Sequence, residues 1–159
     1  MSFRLLLFCF AILRLDQSLQ ALVSGEQLAA LEGFSCKGCN RTDACTKYDE
    51  YSSAPEVLVV PLSRFHQDCR DVWIKNETPI SFDEDLSLLE GQVRYKLVSV
   101  IDHSGASKDG GHYTATCRHP RTDRWYEYND ADRGVVKPVR SPAGRSSSTA
   151  TIFFYIKEA

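Results

Sequence analysis

Charge of one sign is what this 159-residue chain has least of, because 19 Lys and Arg stand against 21 Asp and Glu for a net charge of −2. So even a balance gives no electrostatic case for holding nucleic-acid phosphates or an anionic membrane surface. Long apolar runs are missing too. The run Leu5 to Leu13 follows Met1-Ser2-Phe3-Arg4 and covers nine residues, which is the length and charge pattern of a secretory h-region and too short to cross a bilayer as a helix. Arg14 ends it, and no small-x-small cleavage site follows, since Leu19 stands two residues before Ala21. The chain has no internal repeat and no low-complexity domain. Only four histidines occur, none of them near the knuckle Cys36-Lys37-Gly38-Cys39. Structural zinc takes four ligands, so even with Cys45 the knuckle is an incomplete site. What the chain does have is 43% hydrophobic and 25% charged residues, the material of one soluble globular domain.

The most informative stretch is His112 to Asn129, HYTATCRHPRTDRWYEYN. His119-Pro120-Arg121-Thr122 interrupts two runs rich in Tyr, Thr and Trp, the pattern of a hairpin with a four-residue loop. Setting Arg118 opposite Asp123 carries the pairing through Thr116 with Trp125 and Thr114 with Glu127 to His112 with Asn129. Directly opposed residues share a face, with Cβ atoms roughly 4.5 to 5.5 Å apart. At that distance an Asn oxygen can accept from one imidazole nitrogen and leave the other to take a proton from a thiol. A slip of one residue would destroy the pair. On its own, His112 reads as an ordinary half-buried strand histidine.

Around this hairpin the coarse pattern is mixed. Leu19, Leu22, Val23, Leu28 and Leu31 approximate helical spacing from Asp16 to Leu31; Gly25 splits the run into two short helices, the second with a capping-box pattern in Ser24 and Gln27. Thr46 to Tyr51 predicts a strand. The continuous run Val57-Leu58-Val59-Val60 predicts a strand covered on both faces, with a bend or an edge near Pro61. Asp71 to Lys75 and Ile80 to Phe82 are short strand candidates, Asp83 to Leu89 an acidic-capped turn or helix, and Ser141 to Ser148 a mobile loop of Pro, Gly and Ser. Gly105, Gly110 and Gly111 let the loop before His112 change shape and admit a backbone close by. A plain flexible connection would be equally glycine-rich.

Gly110-Gly111-His112-Tyr113-Thr114-Ala115 resembles the histidine box of the ubiquitin-specific protease family of thiol deubiquitinases (USP, peptidase C19), and Trp125-Tyr126-Glu127-Tyr128-Asn129-Asp130 resembles the box supplying its third triad residue. In the same order, Pro55 to Phe65 is similar to the family's strand ending in Arg-Phe, Tyr95 to Val100 to the strand before His103-Ser104-Gly105, and Thr151 to Tyr155 to the closing strand. The resemblance covers roughly residues 16 to 157. It implies an α+β fold of the papain-like cysteine-protease superfamily, mainly the antiparallel β palm and finger half with short helices, the helical thumb lobe missing. The chain then divides into an apolar N-terminal segment, 1–15, and a partial catalytic domain, 16–157, with a finger remnant at 34–50 and palm at 55–157.

The activity so implied is thiol-dependent hydrolysis of the bond after the C-terminal Gly of ubiquitin. A cysteine thiolate attacks the carbonyl, His112 acts as base and then as acid, Asn129 orients the ring, and Asp130 gives neighbouring polar support. Gly110, Gly111 and Tyr113 would border the channel for ubiquitin's Gly-Gly tail. Catalysis would need no cofactor, while Cys36 and Cys39 would be half of the finger's structural zinc site. Ubiquitin or ubiquitinated proteins would be the partners, with no nucleic acid and no membrane, in the cytoplasm or nucleus. The sequons Asn40-Arg41-Thr42 and Asn76-Glu77-Thr78 and an even cysteine count would instead suit a secreted disulfide protein.

One departure matters as much as the match. The family's nucleophile box, of Asn, Gly, Asn-or-Asp, Thr-Cys type, does not occur here. Cys9 lies in an apolar run where burial makes a thiol inert, and Cys117, five residues from His112 on the same strand, alternates to the opposite face. The chain therefore reads as the C-terminal part of a deubiquitinase domain, inactive when isolated. The alternative is a catalytically inactive module that binds ubiquitin or another protein.

Overall fold

The computed structural model describes residues 5–6, 13–23, 26–28, 37–40, 45–47 and 49–159. Seven strands, β1 (Val57–Ser63), β2 (Asp85–Leu88), β3 (Val93–Ser104), β4 (His112–Arg118), β5 (Trp125–Tyr128), β6 (Lys137–Val139) and β7 (Ala150–Lys157), build an antiparallel sheet. Their order is β1, β7, β3, β4, β5, β6, with β2 beside the first part of β3, and Leu5–Leu6 adds a short parallel strand against Leu62 and Ser63. Long β3 is the spine. It pairs along β7 on one side and carries β2 and then β4 on the other.

Alternation sets the buried face. Leu58, Val60 and Leu62 of β1 are buried, as are Tyr95, Leu97, Val100 and His103 of β3. The step from Leu97 to Val100 breaks the period of two, and it coincides with a register shift against β7 between Leu97 and Ser99, the effect of an extra residue in one strand. Helix α1 (Leu15–Val23) adds Leu15 and Leu19, four residues apart and so on one face, to the same core. Phe82 and Phe153 meet edge to face at 4.7 Å inside it. The buried tyrosines each find a carbonyl for the hydroxyl, Tyr95 at Pro55 and Tyr155 at Asp83.

Just after β1, Arg64 is 2% exposed and acts as an internal tie. Its guanidinium donates to the carbonyls of Ala150 at 2.9 Å, Asn76 at 3.2 Å, Thr78 at 2.6 Å and Ser147 at 3.1 Å. Burial lowers its pKa to about 10, opposed by Asp102 and Glu77, so it is a cation at neutral pH. The five N–H groups of a guanidinium suit such a cluster of acceptors. Two segments distant in sequence, 76–78 and 147–150, are thereby tied to the end of β1.

Several expectations are corrected. Asp85–Leu88 is a strand, not a turn or helix: Leu86 is buried between exposed Asp85 and Ser87, and all four residues pair with Val93–Lys96. Its turn back is tight, with Leu89 and Glu90 both at positive φ. Glu26–Leu28 is likewise a strand, paired with Cys45–Lys47, where a second short helix was expected. Its backbone groups gain partners across the ladder that three helical residues could not give one another. Strand β1 is buried on one face only, since Val57 is 53% exposed, while the expected edge near Pro61 is found: Pro61 pairs with Ile152 on one side, and among the described residues the other side is paired only at Leu62 and Ser63. Ser146–Ser147 is tied to Ile80–Ser81 and to Arg64, so the segment from Ser141 to Ser148 is anchored at its end.

Candidate active site

The hairpin of β4 and β5 pairs Arg118 with Trp125, Thr116 with Glu127 and Ala115 with Tyr128, displaced by two residues from the expected register. The cause lies in the turn. Asp123 sits at φ 57, His119 N–H donates to Arg124 at 2.8 Å, and Asp123 N–H donates to His119 at 3.0 Å. His119 and Arg124 thus continue the same ladder, and the four-residue loop is 120–123, one position further along than expected. Arg118 and Asp123 do meet, but as an ion pair at 3.0 Å rather than as ladder partners.

A shift of two leaves every side chain on its face. His112 and Asn129 become diagonal neighbours, and they still touch, with His112 Nε2 2.7 Å from Asn129 Oδ1. Asn129 follows β5 at φ −141, ψ 114 and caps the 3-10 turn Asp130–Asp132, where Oδ1 also accepts from the Ala131 N–H at 3.1 Å. The second donor identifies that atom as the oxygen. An amide oxygen only accepts, so Nε2 of His112 carries the hydrogen and Nδ1 keeps a lone pair. Asp130 stands 3.5 Å from the same Nε2, with its side chain 90% exposed. The His112 side chain itself is 42% exposed.

Among the described residues no cysteine lies beside His112. Cys117 is on the other face, its Sγ 3.2 Å from Ser99 Oγ, while Cys39 and Cys69 are exposed and free. Cys36 falls outside the described residues, so the expected half zinc site cannot be assembled from them, and no group of metal-ligating side chains occurs among those described.

Of the three expected channel residues, Gly111 is required by space. At φ +152, a Cβ there would stand 2.3 Å from His103 Nε2 and 2.6 Å from the Ser104 carbonyl. Gly110 faces open space. Tyr113 is 58% exposed, has its ring 4.6 Å from that of His103 at a 45° tilt, and with Tyr128, Asn129, Asp130, Val135 and Val136 lines a groove of about 370 Å³. A larger cavity of about 720 Å³, between α1 and the turn joining β2 to β3, lies away from His112. The buried groups His103 and Arg64 were given no site role from sequence. Both were read only as part of the strand motifs that end in Arg64-Phe65 and precede His103-Ser104-Gly105.

The chain matches the family model "Ubiquitin carboxyl-terminal hydrolase" over residues 18–155. It is 30% identical over 151 residues to the ubiquitin carboxyl-terminal hydrolase Usp2 of Drosophila melanogaster, spanning 89% of this chain and 15% of that protein. With ubiquitin carboxyl-terminal hydrolase 2 of Gallus gallus it shares 34% over 127 residues, 76% of this chain and 34% of that one. A chain of the SAGA DUB module of Ubp8, Sgf11, Sus1 and Sgf73 bound to monoubiquitin superposes with a TM-score of 0.76 at 25% identity, covering 92% of this chain and 33% of its own length. The chain thus spans about a third or less of these relatives. No helix among the described residues is long and apolar enough to cross a membrane. With its sheet order, its histidine hairpin and a family match across most of its length, the chain belongs to the ubiquitin carboxyl-terminal hydrolase family, as a domain of the ubiquitin-specific protease type.

Proposed function

We propose that this domain supplies the base and the orienting amide of a thiol-dependent ubiquitinyl hydrolase, cutting the bond after the C-terminal Gly of ubiquitin. The observation that carries the reading is the 2.7 Å contact of His112 Nε2 with Asn129 Oδ1, which leaves Nδ1 free to act on a thiol. Nδ1 takes the thiol proton as sulfur adds to the carbonyl carbon. The imidazolium then returns that proton to the departing amine, and the resulting thioester is hydrolysed by water with the same ring as base. Asn129 keeps the ring in the productive tautomer, Asp130 adds a carboxylate at the same nitrogen, and Gly111 and Tyr113 border the approach.

Ubiquitin as partner is supported by the relatives' names and by the monoubiquitin held by one structural neighbour. No cofactor is assigned to the chemistry, and Cys36 and Cys39 offer two ligands of a structural zinc whose others lie elsewhere. The free thiols of Cys39, Cys69 and Cys117 fit a reducing cytoplasmic or nuclear setting. Because no described cysteine stands beside His112, a module that binds ubiquitin without cleaving it is the second reading.

A ubiquitin carrying a C-terminal electrophile distinguishes them. The native protein, captured from its own cells, should form a stoichiometric adduct on a cysteine other than Cys39, Cys69 or Cys117, and the adduct should disappear in the His112→Ala variant. Ubiquitin binding with no adduct would establish the second reading.

A further inference from the structure

The loop joining β3 to β4 closes on a buried imidazole. His103, 2% exposed, lies edge-on to Phe65 at 5.8 Å and 4.6 Å from the ring of Tyr113. Gly111 rests directly on it, leaving no room for a Cβ. On the other limb of the loop, a Cβ at Gly105 would come within 3.0 Å of the Gly111 Cα. The two limbs therefore cross at backbone contact, with the His103 ring as their floor.

Lys75 closes the same crossing from the side. Its ammonium donates to the carbonyls of His103 and Gly105, both at 2.8 Å, one on each side of Ser104. Ser104 is the residue paired with His112 at the last rung between β3 and β4. Lys75 ends a short strand, Trp73–Lys75, and the loop's far limb is held to that strand too, since Lys108 lies 4.4 Å over the ring of Trp73. His103 Nδ1 has no hydrogen-bond partner. A buried nitrogen left so is unfavourable, a cost that a phenyl ring in that place would avoid. The useful edge of the imidazole is the other one, where Nε2 faces the Gly110–Gly111 backbone.

We propose that His103 and Lys75 are positioning residues for His112: the imidazole beneath Gly111 and the ammonium across the carbonyls of His103 and Gly105 hold the 105–111 loop in the conformation that delivers His112 to Asn129. The proposal rests on His112 being the base of the reaction. Neither residue touches the reacting atoms, and each acts through the backbone on either side of the histidine.

The test uses the full-length protein with His103→Ala, His103→Gln and Lys75→Met, reading the 15N shifts of the His112 ring, melting temperature, and hydrolysis of a ubiquitin C-terminal amide. In the parent the ring should show a single tautomer with hydrogen on Nε2. In His103→Ala and Lys75→Met it should show a mixture, with kcat reduced about 10- to 100-fold and ubiquitin affinity held within about threefold. His103→Gln, whose amide nitrogen reaches where Nε2 stood, should recover the single tautomer and most of the turnover. A lower melting temperature with an unchanged His112 tautomer would make both residues merely structural and overturn the proposal. Full turnover in His112→Ala would instead refute the base assignment, while the ring spectra would still decide whether His103 and Lys75 position that side chain.

Discussion

Replacing Asn129 by serine removes the reach to His112 while keeping a side-chain oxygen able to cap the Asp130–Asp132 turn. In the parent one oxygen serves both, at 2.7 Å from Nε2 and 3.1 Å from the Ala131 N–H. Serine and asparagine are near-equal caps, so the local fold keeps its partner. The lost hydrogen bond to His112 is worth about 0.5–1.5 kcal/mol at most, and less here because the ring is 42% exposed and water can replace the amide. Folding stability of an ordinary domain is roughly 5–15 kcal/mol, so the population stays folded. Catalysis responds on a different scale. A base without its orienting partner samples the wrong tautomer and the wrong rotation, and losses of about 10² to 10⁴ in kcat follow, or roughly 2.7 to 5.4 kcal/mol in the barrier. Hydrolysis of a ubiquitin C-terminal amide by the full-length protein, measured beside ubiquitin affinity and a melting curve, separates the two scales. Asn129→Ala should match Asn129→Ser in turnover and lie below it in melting temperature, since it also gives up the cap. Turnover within about threefold of the parent, or affinity falling in step with kcat, would mean that the pair does not orient a base.

Three further outcomes follow from the buried groups. Arg64→Leu takes the donor from four carbonyls, that of Ala150 buried and those of Asn76, Thr78 and Ser147 partly buried, and should cost roughly 2–4 kcal/mol in denaturant unfolding; a loss under about 1 kcal/mol would show that those segments hold without the tie. Gly111→Ala, facing both a positive φ and a clash with His103, should lower turnover with a smaller effect on ubiquitin affinity, whereas Gly110→Ala, which meets open space, should leave turnover near the parent's. Burial first, and the nearby charge of Lys75 second, lower the pKa of His103 from its ordinary 6.5. The unfolded chain then takes a proton that the folded one refuses, so this contribution to stability is complete above about pH 6.5 and is lost as pH falls below it, by at most about 1.4 kcal/mol per pH unit. Denaturant melts across that range should show the decline, and His103→Gln should flatten it; an unaltered slope would mean that His103 titrates normally in the fold.

What the sequence makes legible divides along local and non-local lines. The strands of the long ladders were readable because an apolar-polar alternation, or a run such as Val57 to Val60, is a local signal. Asp85–Leu88 was not, since four residues are too few to tell a period of two from a turn of helix, and what makes them a strand is Val93–Lys96 lying alongside. Glycine content before His112 was likewise visible, yet only the imidazole beneath Gly111 distinguishes it from Gly110. Arg64 is harder still: its acceptors come from residues 12 to 86 positions away, and no window of sequence contains them together.

The hairpin shows why a displaced register leaves the His112–Asn129 pair intact. A four-residue loop at 119–122 was expected, and it stands instead at 120–123 with Asp123 at positive φ, moving every rung by two. Because side chains alternate with a period of two, an even error exchanges opposed partners for diagonal ones on the same face, while an odd error would send His112 and Asn129 to opposite faces. Diagonal neighbours on a sheet lie about 7–8 Å apart at the backbone, within the combined reach of an imidazole and a carboxamide. The face on which a residue lies is therefore a sturdier inference than the partner opposite it, and the chemistry of this hairpin depends only on the face.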